Sequence, residues 1–126
     1  MAIEIKGLES LMRKLDSMGG NVLDALGKAV EQTTQVAISD AQTNVAVDTG
    51  MLRQSIVHGS DVVHNTDSVT GIVGTSVHYA IYQEMGTVKM AAHPFLMPAL
   101  NANKSTFEQL ARKELETAIK RTAGGG

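Results

Sequence analysis

Apolar residues recur along this chain with two different periods, and the change from one to the other divides it. Residues 2–6 alternate Ile3 and Ile5 with Glu4 and Lys6, which predicts a short edge strand broken at Gly7. Leu8, Leu11, Met12 and Leu15 then recur at three and four, predicting a short amphipathic helix that ends at Gly19 and Gly20. Asn21 with Asp24 three places on forms a capping-box-like start for a second helix. Val22, Leu23, Leu26, Ala29, Val30, Thr33, Val36, Ala37, Asp40, Ala41 and Asn44 trace one face of it for about six turns. The small and β-branched residues on that face let a helix or sheet approach closely. They bury modest area per residue, which leaves part of the stripe for a neighbouring subunit.

The helical period stops in the stretch from Val47 to Ile56. Asp48 and Thr49 favour local side-chain to backbone bonds, and Gly50 is suited to a positive φ, so a corner is expected there. Leu52, Gln54 and Ile56 interleave with Arg53, Ser55 and His58, predicting a half-buried strand over 52–58. Gly59, Ser60 and Asp61 suit a bulge or turn before Val62, Val63 and His64. After the turn residues Asn65 to Ser68, a return strand over 69–75 completes an antiparallel hairpin or meander, with Gly71 and Gly74 marking a close backbone approach.

Residues 78–87 predict one or two helical turns closed by Gly86 and holding both tyrosines, Tyr79 and Tyr82; residues 88–93 read as a loop. Pro94 and Pro98 bracket Phe95, Leu96 and Met97 at a helix start. Leu100, Phe107, Leu110, Ala111, Glu114, Leu115, Ala118 and Ile119 continue at helical spacing, supported by Glu108–Arg112 and Glu116–Lys120 at i, i+4. Ser105 and Glu108 fit a capping box that would restart the helix. The expected architecture is one α+β domain over residues 1–121. A small antiparallel sheet, made of the N-terminal strand and the central hairpin, packs against two long helices and several short ones, with a flexible tail at 122–126.

Composition narrows the functional classes. Of 126 residues, 43% are hydrophobic and 19% charged, a globular balance. There is no cysteine for disulfides, thiolate metal sites or thiol chemistry. No apolar run is long enough to cross a membrane, and the first residues lack the apolar block of a secretory signal, so a cytoplasmic protein is expected. A net charge of −2 gives no basic stripe for direct nucleic-acid binding, and 3% aromatic residues supply no stacking platform. The last 26 residues, with five Lys/Arg against three Asp/Glu, form a basic end on a mildly acidic body.

Catalytic patterns are sparse. His58, His64, His78 and His93 have no paired metal-ligand spacing, and phosphate-cradling and nucleophile-elbow motifs are missing; no cofactor or metal is expected. Asp48-Thr49-Gly50 is the tripeptide of aspartic proteases, with Ile72-Val73-Gly74 imitating their apolar-apolar-glycine element. Such an enzyme needs two carboxylates sharing a proton, available here only in a twofold dimer with nearly all-β surroundings, and too few strands are expected to build them. What remains is a set of fixed points: Asp48, Gly50, Arg53, Ser55, Tyr79, Tyr82, Glu84, Gly86, Thr87, Pro94, Phe95 and Pro98. Arg53 and Glu84 either pair, locking corner to helix beneath the tyrosines, or face water.

At those residues the chain resembles a known family. Asp48-Thr49-Gly50 with Leu52, Arg53, Ser55 and Ile56, then Val73-Gly74-Thr75 with Tyr79, Ala80, Tyr82, Glu84, Gly86 and Thr87, then Pro94-Phe95-Leu96 with Pro98, Ala99 and Leu100, look like the head-to-tail joining (neck, tail-completion) proteins of long-tailed bacteriophages. Residues 88–93 depart from it by lacking a basic residue just before the Pro-Phe pair. The resemblance implies a non-enzymatic virion assembly protein, present in the host cytoplasm during assembly. Its subunits would form a sixfold ring at the head-tail junction, between connector or head-closure proteins and the tail tube, with DNA passing through the bore. Phe95, Leu96 and Met97 are either a docking element of that ring or part of the subunit's own core. An unrelated soluble oligomeric adaptor is the other non-enzymatic reading.

Overall fold

The structure is a computed structural model that describes residues 8–45, 50–77, 79–89 and 91–124. The expected strand at 2–6, the Asp48-Thr49 part of the corner, His78 and the last two tail residues lie outside these.

Helix α1 (Glu9–Ser17) turns at Gly19, whose φ of 81° only glycine adopts readily, into α2 (Val22–Asn44). The start of α2 is as its sequence predicts, since the Asn21 side chain accepts the Asp24 amide at 3.0 Å. At 23 residues α2 is the longest element and the spine of the fold. Its buried face consists of Ala25, Gly27, Ala29, Thr33, Thr34, Ala37 and Ala41.

Two apolar clusters form on opposite halves of that spine. Toward its start, Leu8 and Leu15 of the first hairpin arm join Ala25, Ala29, Phe107, Ala111 and Leu115. Toward its end, Ala41 and Val45 join Leu52, Ile56, Ala80, Phe95 and Ala99. The second cluster is assembled from α3 (Gly50–Gly59), α4 (Ala80–Met85) and α5 (Leu96–Ala102), and the first is closed by α6 (Lys104–Ala123).

Residues 52–58, expected as a strand, form most of helix α3. Leu52 and Ile56, four apart, share a face at either period, and both are fully buried against the second cluster. The helix is reinforced by Ser55 and Ser60, whose hydroxyls donate to the Leu52 and Ile56 carbonyls. Gly50 opens this helix without a positive φ; among the described residues only Gly19 and Gly86 have one.

The sheet is the hairpin alone among the described residues. Strands β1 (Asp61–His64) and β2 (Val69–Ile72) pair antiparallel, with Val62 opposite Gly71 and Val63 opposite Thr70. The return strand thus ends at Ile72, short of the predicted 75, because the chain then bends against the end of α3. Gly59 and Gly74 meet there: a Cβ on Gly59 would lie 2.6 Å from the Gly74 carbonyl oxygen. The predicted close approach at Gly71 is also present, since a Cβ there would overlap the Thr34 hydroxyl and lie 3.2 Å from Val30.

Between α5 and α6 the chain breaks at Asn103. Its buried side chain donates to Asp40 Oδ2 at 2.8 Å and to the Ala99 carbonyl at 2.7 Å, tying the break to the spine. α6 therefore begins at Lys104 with no side-chain cap, and the expected Ser105–Glu108 capping box is not what starts it.

Candidate assembly interface

Arg53 and Glu84 neither pair with each other nor simply face water. Each charge instead completes the end of a different helix. The last turn of α2 contains no basic residue, and of its final carbonyls that of Gln42 accepts only a long bond, 3.4 Å, from the amide of the capping residue Val45. Arg53 supplies the cation from α3: Nε donates to the Gln42 carbonyl at 3.0 Å and Nη2 to the Val45 carbonyl at 3.1 Å. Likewise α5 has no acidic residue in its first turn and no cap from Phe95. Glu84, reaching from α4, accepts the amides of Phe95 at 3.0 Å, Leu96 at 2.9 Å and Met97 at 3.1 Å. These charge-assisted bonds fix α3 to α2 and α4 to α5.

The other fixed points fall around these two junctions. Leu52 is buried in the second cluster, and Ser55 bonds the Thr75 hydroxyl, which also accepts the Val77 amide at 3.1 Å. Tyr79 packs half-buried against that cluster, whereas Tyr82 is exposed on α4. Gly86 ends α4 at φ 77° and ψ 177°, donating its amide to Tyr82 at 2.8 Å. Thr87 is exposed, and its hydroxyl accepts the Lys89 amide at 3.2 Å. Pro94 is exposed, Pro98 sits in the first turn of α5, and Gly50 is exposed at the start of α3. Phe95 lies in the subunit's own core at 1% exposure, Leu96 is half-buried against it, and Met97 is 44% exposed. Asp48 lies outside the described residues.

A surface feature absent from these expectations stands beside them. Ile81 and Met85, one turn apart on α4, are 57% and 74% exposed, and Val88 beyond Gly86 is fully exposed. Ile81, Met85 and Val88 thus leave apolar side chains exposed at the end of α4, and Met97, whose amide donates to Glu84, is exposed in the first turn of α5. The i, i+4 spacing of Ile81 and Met85 was the available signal. A second apolar surface lies on the outer face of the hairpin. Val69 and Gly71 face α2, so Thr70 and Ile72 face away with their partners Val63 and Asp61; on that face Val63 and Ile72 are exposed beside the polar Thr70 and Asp61.

The described residues offer little for chemistry. No three His, Asp or Glu side chains converge as a metal site, and His58, His64 and His93 are exposed. Helix α3 begins at Gly50, the last residue of the Asp48-Thr49-Gly50 tripeptide, and the two four-residue strands among the described residues do not form the all-β surroundings of an aspartic protease. No described helix is long and apolar enough to cross a membrane.

A small subunit with tightly anchored helix ends and apolar side chains left on its surface belongs to the class of assembly components. Residues 9–86, more than half of the chain, match the model of the HK97-gp10-like family, described as "Bacteriophage HK97-gp10, putative tail-component", and the chain belongs to that family. The match runs from α1 through α4 and includes both the Arg53 and the Glu84 anchors. No curated protein and no solved structure matches the chain significantly. It is a structural component of a tailed phage, and its place is the virion.

Proposed function

We propose that this protein forms a sixfold ring at the head-tail junction, in a neck, tail-completion or tail-terminator role. Its partners are further copies of itself, the connector or head-closure proteins on one side and the tail tube protein on the other. The observation that carries the proposal is the presence of two separate exposed apolar surfaces, at the end of α4 and on the outer hairpin face. A cyclic ring other than a dimer joins unlike patches, so each subunit must present two. The anchors at Arg53 and Glu84 support this reading, because they hold the α4 surface at a set angle to the spine. DNA passes through the bore without sequence-specific contact, and the net negative charge limits its adhesion.

Native mass spectrometry of the purified chain, alone and with connector and tail tube proteins, tests the proposal. A single closed oligomer, lost in Met85→Asp and Ile72→Asp variants that still fold, is the expected result. A chain that remains monomeric in both settings overturns it.

A further inference from the structure

The two exposed apolar surfaces carry charge of opposite sign. Between Arg53 and Lys89 the chain has no Lys or Arg, so the only fixed charges on the hairpin are Asp61 at the start of β1 and Asp67 in its turn. Asp61 shares the outer face with Val63 and Ile72, and its Oδ1 accepts the Val62 amide at 2.8 Å, which holds the carboxylate at the edge of the sheet. The charges of α2 near the hairpin are engaged locally: Glu31 by His64 at 3.0 Å, and Lys28 by Asp24 at 3.9 Å. The end of α4 is the reverse case. Glu84 is spent on the α5 amides, and beyond Met85 and Val88 the next charge is Lys89, exposed in a turn where the Thr87 hydroxyl accepts its amide at 3.2 Å. Among the described residues, neither Lys89 nor Asp61 makes an ion pair within its own subunit.

We infer that the α4 end of one copy docks on the outer hairpin face of the next, with Met85 and Val88 against Val63 and Ile72 and with Lys89 toward Asp61. This rests on the ring reading above and adds to it which surface meets which. The charges decide between the two ways of pairing. Either surface set against its own copy about a twofold axis brings Lys89 toward Lys89, or Asp61 toward Asp61, and like charges brought together oppose association. Unlike surfaces bring opposite charges together, so the same two residues that favour a head-to-tail contact disfavour a closed dimer. Within one subunit the hairpin packs on α2, whereas α4 packs through Ala80 on the second cluster, so the two surfaces belong to different parts of the fold. Each copy therefore has one surface for the neighbour before it and one for the neighbour after it.

The chain has no cysteine, so single introduced ones report the contact directly. Val88→Cys chains are mixed with Val63→Cys or Ile72→Cys chains under the assembling conditions named above and oxidised; all three positions are exposed in the subunit. Disulfide-linked pairs containing one chain of each kind are expected, with few from any variant alone. A ring without mixed pairs, or one in which a variant links to itself equally well, overturns the inference and leaves the ring reading standing. A chain that never assembles overturns both. Charge reversal gives a second measurement: Lys89→Glu and Asp61→Lys should each raise the concentration at half-assembly about tenfold or more, and the two combined in one chain should largely restore it, because every contact again joins opposite charges. Assembly indifferent to either reversal, or a double variant as impaired as the worse single one, also overturns the inference.

Discussion

Gln42 and Arg53 bond each other in opposite senses: Arg53 Nε donates to the Gln42 carbonyl at 3.0 Å, and Gln42 Nε2 donates to the Arg53 carbonyl at 3.3 Å. With the second guanidinium bond to Val45, the end of α2 and the body of α3 are joined at three points. Arg53→Met retains much of the stem's packing and removes the donors. Chemical denaturation is expected to show a loss of about 1.5–3 kcal/mol. Arg53→Lys should recover little of it, since one ammonium cannot reproduce the planar fork that spans two carbonyls.

Glu84 answers to the same logic at the opposite pole of a helix. Its carboxylate serves three amides, so Glu84→Ala strips the start of α5 of its acceptors. The expected cost is about 2–3 kcal/mol. Glu84→Gln keeps one acceptor oxygen and should fall between the two. Equal stability of Glu84→Ala and the unmodified chain in a thermal melt would refute the anchoring role.

Two glycines in the family-like motifs are expected to behave oppositely. Gly86 has φ 77° and ψ 177°, a region populated essentially by glycine alone, and Gly86→Ala should destabilise by about 1–3 kcal/mol. Gly50 begins α3 with open space where a Cβ would go and with no positive φ. Gly50→Ala is expected to be neutral or to stabilise by about 0.4–1 kcal/mol, by restricting the unfolded chain.

The contact of β2 with the spine is tested by a pair of substitutions. Gly71→Ala drives a methyl group into the Thr34 hydroxyl and should cost about 1–3 kcal/mol by overpacking. Combining it with Thr34→Ala removes the obstructing atom. The double variant is expected to be more stable than the sum of the single effects, and strict additivity in the cycle would show that the two residues do not meet.

Ile81→Asp and Met85→Asp separate folding from assembly. Both side chains are exposed, so the subunit's unfolding free energy should change by no more than about 0.5 kcal/mol. Oligomer mass, read by light scattering or native mass spectrometry, is expected to fall. Loss of stability in place of loss of assembly would place these residues in the subunit's own core.

Elements with many turns could be read along the chain, and those decided by a few residues could not. The six-turn stripe and the Asn21 cap place α2 without ambiguity, because 23 residues sample the helical period repeatedly. α6 follows for the same reason, the short α1 is read from Leu8, Leu11, Met12 and Leu15, whose spacing of three and four no strand shares, and the Asn65 to Ser68 turn places the hairpin. Residues 52–58 are too few to separate the periods: Leu52 and Ile56 share a face in a strand and in a helix alike. The helix is selected by where those two side chains find their cluster and by the serine hydroxyls that close onto its carbonyls.

Arg53 and Glu84 stood among the fixed points of the sequence, with pairing or exposure to water both left open, and the backbone groups they bond were unreadable. Opposite charges in a linear chain suggest each other, because side chains are visible in a sequence and unpaired backbone groups are not. Which helix end lies near which charge depends on how α2, α3, α4 and α5 cross. That crossing is set by small-residue packing along the spine between residues tens of positions apart. Local pattern thus determined the long helices and the position of the hairpin. Only the folded arrangement decided that Arg53 would meet the carboxyl end of α2, that Glu84 would meet the amino end of α5, and that Ile81 and Met85 would remain uncovered.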